Sequence, residues 1–335
     1  MELQLKNIGM IKEANVKLDG LTVIAGENDT GKSTVGKVFY VLVKGMKLFV
    51  SEWKEKNAEN LSTSLLAVYF LLFKKTKLEN NASMLFKDKE DELVELKGQD
   101  YTSDKDHTHG VSFCKKTKIE DIVFLETPLV WSFTDFFRDI AQVESQMNIK
   151  LDYPYLMKDL TFKLHIKNAS NGLDIRDKVI PLMGGEFKKD EVGRYYFDKN
   201  GQRIELVNTA TGIKYFGIFQ VLSQNNYLNK DTVLVLDEPE VHLHPKWQLK
   251  MAELIVDLVK NGIKILVNSH SPYMIEALQR YGELSEINAD FYLAEDAYIK
   301  KENDSNSETL AKIFEKLSEP FDVFEEMESE RFQNG

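Results

Sequence analysis

The chain has 335 residues, 43% hydrophobic and 29% charged. These are ordinary globular values that exclude wholesale disorder and fit two average domains or one large α/β domain with insertions. The net charge of −11 is uneven, with 14 acidic against 5 basic residues from Glu286 onward. An acidic tail therefore adjoins a nearly neutral body, and global charge gives no push toward nucleic acid. Met1 leads directly into alternating residues, the longest apolar run (LLAVYFLLF, 65–73) is half a bilayer span, and Cys114 is the single cysteine. The expectation is a cytoplasmic protein with no membrane helix, no internal disulfide and no cysteine metal cage.

Residues 2–6 and 14–18 alternate as strands around a turn at Gly9, and Asp19-Gly20 is a turn before a buried strand at 21–25. After a loop at 26–31, apolar spacing predicts a helix from Lys32 to about 50 and a second helix over 60–75. The stretch 78–118 is charged and irregular and reads as a surface insertion. Lys74, Lys75 and Lys77, and again Lys115, Lys116 and Lys118, form basic clusters, either solvated loop edges or a local nucleic-acid groove. A strand at 122–125 and a helix at 132–145 follow, and then the alternation and glycine turns of antiparallel hairpins over 162–208. From Gly212 the order is helix, strand (233–236), helix (246–260), strand (263–267), helix (272–280). Such alternation implies a parallel sheet with crossovers.

Gly26-Glu27-Asn28-Asp29-Thr30-Gly31-Lys32-Ser33 fits G-x-x-x-x-G-K-[ST] between a buried strand and a helix. In such a loop, backbone N–H groups and the helix N-terminus favour phosphate oxygens. Lys32 adds a positive charge, and the Ser33 hydroxyl is a candidate Mg²⁺ ligand. Val233-Leu234-Val235-Leu236-Asp237-Glu238 is an apolar strand ending in two carboxylates, at the sheet end where ligands bind. Asp237 would serve Mg²⁺ and Glu238 would be the base that activates water. His270, after the strand at 263–267, lies at the same sheet edge and can donate to a terminal phosphate. His242 and His244 form an H-x-H pair with no evident third ligand, and His107 and His109 sit in the charged insertion.

Together these segments resemble ATP-binding-cassette ATPases of the RecF/SMC/OLD type. The opening LQLKNIGMIKEANVKLDGLTVIAGENDTGKST, DEPEVHLHP and NSHSP carry the resemblance, over about 1–40 and 200–295. It implies an α/β P-loop NTPase of SMC/RecF-like architecture: a mixed parallel sheet, an antiparallel β subdomain and a helical or irregular insertion lobe at 41–160, with the acidic segment at 286–335. It implies nucleotide contacts at Gly26, Asn28, Gly31, Lys32, Ser33 and Thr34, metal contacts at Ser33 and Asp237, and catalytic roles for Glu238 and His270. Leu243 and His244 correspond to the D-loop. The signature segment falls at 208–214, where Thr211 and Gly212 would contact the nucleotide of another subunit, and Glu126 takes the Q-loop position. The cofactors implied are ATP and Mg²⁺. The implied assembly is a head-to-tail homodimer with two ATPs in its interface, or a higher oligomer built on it.

Only 65 residues follow His270, and they hold no E…D-x-D cluster. The resemblance is thus to an OLD-like ATPase without a TOPRIM nuclease domain, similar to ATPase subunits of bacterial anti-phage systems that gate a separately encoded effector, often a nuclease. A RecF-type DNA-repair ATPase is the alternative. A transporter subunit is disfavoured by the loose signature, and a non-hydrolytic scaffold by Glu238. Contact with nucleic acid stays open.

Overall fold

Three segments are buried along their whole length: Leu21–Ala25, Asp121–Leu125 and Thr232–Asp237. Strands covered on both faces read this way, and all three belong to the parallel half of the sheet, with Asp121–Leu125 as its edge strand. The computed structural model describes residues 1–54, 61–87, 93–98, 119–148 and 153–333. In chain order the elements are β1 (Glu2–Ile8), β2 (Ile11–Lys17), β3 (Leu21–Ala25), α1 (Lys32–Lys54), α2 (Leu61–Phe73), β4 (Ser83–Lys87), β5 (Leu93–Lys97), β6 (Asp121–Leu125), α3 (Val130–Met147), α4 (Tyr155–His165) and α5 (Arg176–Met183). Then come β7 (Glu186–Lys189), β8 (Tyr195–Lys199), β9 (Gln202–Glu205), α6 (Thr211–Gln224), β10 (Thr232–Asp237), α7 (Pro245–Lys260), β11 (Lys264–Ser269), α8 (Pro272–Leu284), β12 (Ala289–Glu295), β13 (Tyr298–Lys300) and α9 (Asn306–Gln333).

Ten strands form one sheet in the order β5-β4-β1-β2-β13-β12-β3-β11-β10-β6. From β12 to β6 every neighbouring pair is parallel, and the β5-β4-β1-β2 wing is antiparallel. The expected mixed α/β architecture is therefore present, with β7-β8-β9 as a separate antiparallel sheet. Side chains alternate between two cores. Leu21, Val23, Leu234, Leu236, Ile265 and Val267 face the core shared with α6, α7 and α8. Ile24, Val233, Val235 and Leu266 face the one shared with α1.

Four expectations need adjustment. The span 41–160 contributes β4, β5 and β6 to the main sheet, so it is not helical or irregular throughout. Part of the supposed charged insertion is a regular edge hairpin, with Met84 and Phe86 inward; its remainder, including His107, His109, Cys114 and the second lysine cluster, lies outside the described residues. Hairpins begin only at β7, because 162–183 is the end of α4, a loop and then α5. The acidic segment is partly core: β12 pairs with β3, and Leu310 and Ile313 of α9 are buried.

A buried ionic cluster ties the helix after the phosphate loop to the far end of the sheet. Lys44 of α1 lies 2.9 Å from Asp121 of β6 and 3.0 Å from Asp159 of α4. Lys163 of α4, 2% exposed, pairs with Asp159 and lies 3.6 Å from Asp121. Burial alone would raise both carboxyls, but Lys163 and Lys44 overcome it and hold them below the usual carboxylate range. Their contribution is present above an unfolded value of about 3.9 and is lost as pH falls through the depressed folded values. Removing one member leaves a buried charge unbalanced. Lys163→Met is expected to cost about 3–5 kcal/mol, measured as a lower urea midpoint. The double variant with Asp159→Leu should cost less than the sum of the single losses.

Candidate active site

β3 ends at Ala25 and α1 begins at Lys32, so residues 26–31 turn tightly over the sheet end. Gly26 has φ +155°, and a Cβ on it would stand 2.3 Å from the carbonyl oxygen of Ala294 in β12. Gly31 has φ +90°, and its Cβ would meet Ile11 at 2.8 Å. Conformation and space both require glycine at these two positions. Lys32 is buried at the helix start, its ammonium donating to the carbonyl oxygen of Gly26 at 2.8 Å and to that of Glu27. Burial pushes its pKa down, opposed by Glu238, Asp237, Glu240 and Glu27. Asn28 is exposed on the loop, and the Thr34 amide donates to Gly31 at 3.0 Å.

The strand order explains how distant motifs meet. β11 runs between β3 and β10, aligning Asp237 with Asn268 and Ser269 with Ala25. Three parallel strands thus end side by side. Asp237 Oδ1 accepts from Ser33 Oγ at 3.0 Å and from Asn268 Nδ2 at 2.7 Å. Burial still raises the Asp237 carboxyl above its ordinary value, against those two hydrogen bonds. Glu238 turns the chain at φ +50°, a left-handed position rare for a non-glycine residue. Its amide donates to the Asn268 carbonyl at 2.9 Å, which helps hold that turn. His270 Nδ1 lies 3.3 Å from Glu238 Oε1.

Two residues that sequence reasoning missed hold this arrangement. Asn268 anchors Asp237. Glu240, 4% exposed, accepts at Oε1 from Ser269 Oγ (2.7 Å), the His270 amide (2.8 Å) and the Ser271 amide (3.2 Å). The available signal was the third acid in DEPE, before an apolar Val241. The H-x-H pair has a structural use: His244 caps α7, its Nδ1 accepting from the Lys246 amide at 3.3 Å, and His242 takes φ +65° in the turn. Among the described residues no group of three or more His, Cys, Asp or Glu side chains is placed to hold a metal. Ser33 and Asp237 instead offer paired hard oxygen donors, which suit an ion that keeps most of its water.

Thr211 and Gly212 are not part of this cluster. They open α6, where a Cβ on Gly212 would stand 3.2 Å from Leu243 and 3.8 Å from Trp247, with no phosphate-loop atom within 4 Å. Glu126 follows β6, and Lys37 of α1 lies 3.7 Å from it. A cavity of about 270 Å³ opens beside the phosphate loop, lined by Gly26, Glu27, Thr30, Asp296 and Lys316.

Residues 132–275 match the model of the AAA ATPase domain family. The chain is 40% identical over 45 residues to the Septu protein PtuA of Bacillus thuringiensis, covering 13% of this chain and 11% of that protein. It is 25% identical over 139 residues to the Old nuclease of Escherichia phage P2, covering 41% of this chain and 23% of the nuclease. The chain thus spans less than a quarter of either relative. Among solved structures, an SMC head bound to the C-winged helix domain of ScpA has a TM-score of 0.48 at 13% identity, covering 89% of this chain and 95% of that one. No described helix is long and apolar enough to cross a membrane.

Burial disfavours the charged form of Asp237, so Asp237→Asn should raise the Tm of the nucleotide-free protein while keeping the Oδ1 acceptor. It should also remove the further rise in Tm that ATP with Mg²⁺ gives over ATP with EDTA. A lower nucleotide-free Tm would contradict the assigned cost of burying this carboxylate.

Proposed function

We propose that this protein hydrolyses ATP to ADP and phosphate as a head-to-tail homodimer, and that the nucleotide state gates a separately encoded effector, a nuclease, in bacterial anti-phage defence. The observation that carries the reading is the convergence of Lys32, Ser33, Asp237, Glu238 and His270 at three neighbouring strand ends. The loop amides and Lys32 bind the phosphates, so Lys32 exchanges its contacts with the loop carbonyls for phosphate oxygens. Ser33 and Asp237 would hold Mg²⁺, which supplies charge neutralisation at the phosphates when bound. Glu238, at a partly exposed turn, takes the proton of the attacking water, and His270 beside it donates to the terminal phosphate.

One chain carries one phosphate loop and one signature candidate, and a Cβ on Gly212 of that candidate would meet Leu243 and Trp247 rather than the loop. This supports completion of the site by a second copy, with the N-terminus of α6 serving the partner's nucleotide. Similarity to the PtuA protein and to the Old nuclease supports a defence setting and a partner effector. A cytoplasmic location fits this reading.

Glu238→Gln should retain ATP but slow phosphate release by about 10²–10⁴-fold, the usual worth of a general base. In that background, with Cys114→Ser, cysteines at Thr211 and Asn28 should cross-link between chains in ATP and Mg²⁺ but not in ADP. Wild-type phosphate release by Glu238→Gln would remove the base assignment. Equal cross-linking in both nucleotides would remove the sandwich.

A further inference from the structure

His270 is fixed through its backbone rather than its ring. Its Nδ1 makes no hydrogen bond, although Glu238 Oε1 is 3.3 Å away and Glu240 Oε1 3.6 Å. The His270 amide, in contrast, donates to Glu240 Oε1, which also accepts from Ser269 Oγ and the Ser271 amide. A buried carboxylate gathering three donors over three consecutive residues fixes the path of a short loop. The same loop is connected outward. Ser271 Oγ donates to Gln248 Oε1 at 2.6 Å, and Gln248 Nε2 donates to the Leu243 carbonyl at 3.0 Å. Gln248 and Ser271 are buried, so neither bond is weakened by competing water. Leu243 in turn is the nearest neighbour of the space above Gly212 at the start of α6.

We propose that Glu240 is a positioning residue for His270, and that Gln248 and Ser271 connect it to the Leu243 turn, so that a second copy engaging that turn sets the geometry for hydrolysis. The inference rests on the sandwich dimer above and adds the route by which its formation reaches the site. A continuous chain of hydrogen bonds runs from Leu243 through Gln248, Ser271 and Ser269 to Glu240 and the His270 amide. It crosses from α7 to the end of β11 without involving Lys32 or Ser33. Loss of a link should therefore separate two properties that otherwise move together, ATP-dependent pairing and turnover.

The test uses the full chain and compares wild type with Gln248→Leu, Ser271→Ala, Glu240→Gln and Glu240→Ala. For each, kcat and KM for ATP are measured, together with the Thr211–Asn28 cross-link in the Glu238→Gln, Cys114→Ser background. Gln248→Leu and Ser271→Ala should cross-link in ATP as the parent does and keep KM within about threefold, yet lose about 10- to 100-fold in kcat, the scale of a small misplacement of a reacting group. Glu240→Gln keeps an oxygen for the three donors and should recover most of the kcat that Glu240→Ala loses. Wild-type kcat in Gln248→Leu or Ser271→Ala would overturn the relay, as would equal loss in Glu240→Gln and Glu240→Ala. Absence of hydrolysis by the wild-type chain would instead overturn the ATPase reading on which the relay rests.

Discussion

Charge has to be buried where three strands end together, and most of the molecule is arranged around that requirement. Lys32, Asp237 and Glu240 are all buried, which costs free energy unless each finds partners. Partners are supplied from neighbouring strands. Ser33 and Asn268 serve Asp237, the loop carbonyls serve Lys32, and three donors at the end of β11 and just beyond it serve Glu240. The arrangement works only because β11 is inserted between β3 and β10. Were those two strands adjacent, the His270 segment would have no place between the phosphate loop and the carboxylates.

The same logic recurs at the opposite end of the sheet. Asp121 begins β6, where Lys44, Lys47, Asp159 and Lys163 close around it. Because Lys44 is on α1, whose first residues are Lys32 and Ser33, this cluster anchors the helix that carries the proposed phosphate contacts. The helix is thus held at its start by loop geometry and along its length by the ion pairs of Lys44 and Lys47. Rigid placement of this kind favours positional catalysis.

Contiguous features were legible in the sequence, and features made by strand adjacency were not. The phosphate loop, the Asp237-Glu238 pair and the His270 segment each occupy a few consecutive residues after an apolar strand, so residue type and spacing reveal them. Asn268, Glu240 and Gln248 acquire their roles only once β10, β11 and α7 are side by side. The edge hairpin of β4 and β5 was hidden by its charged surroundings, since only one face of each strand is apolar. α5 was obscured by Pro181 within the helix and by the Gly184-Gly185 pair at its end, both ordinarily signs of a turn. The H-x-H pair suggested a metal because sequence does not show that His244 is spent capping α7.

Sharing of one site between two copies is the claim on which the functional account turns, and complementation measures it most directly. Lys32→Ala disables a phosphate loop, and Thr211→Glu places a negative charge at the start of α6 without the crowding against Leu243 that a side chain at Gly212 would meet. Each variant alone should be nearly inactive. In an equal mixture, a mixed dimer contains one site with an intact phosphate loop from one chain and an intact α6 terminus from the other, so phosphate release should reappear. A mixture as inactive as its components, with mixed dimers demonstrated by cross-linking, would contradict a shared site.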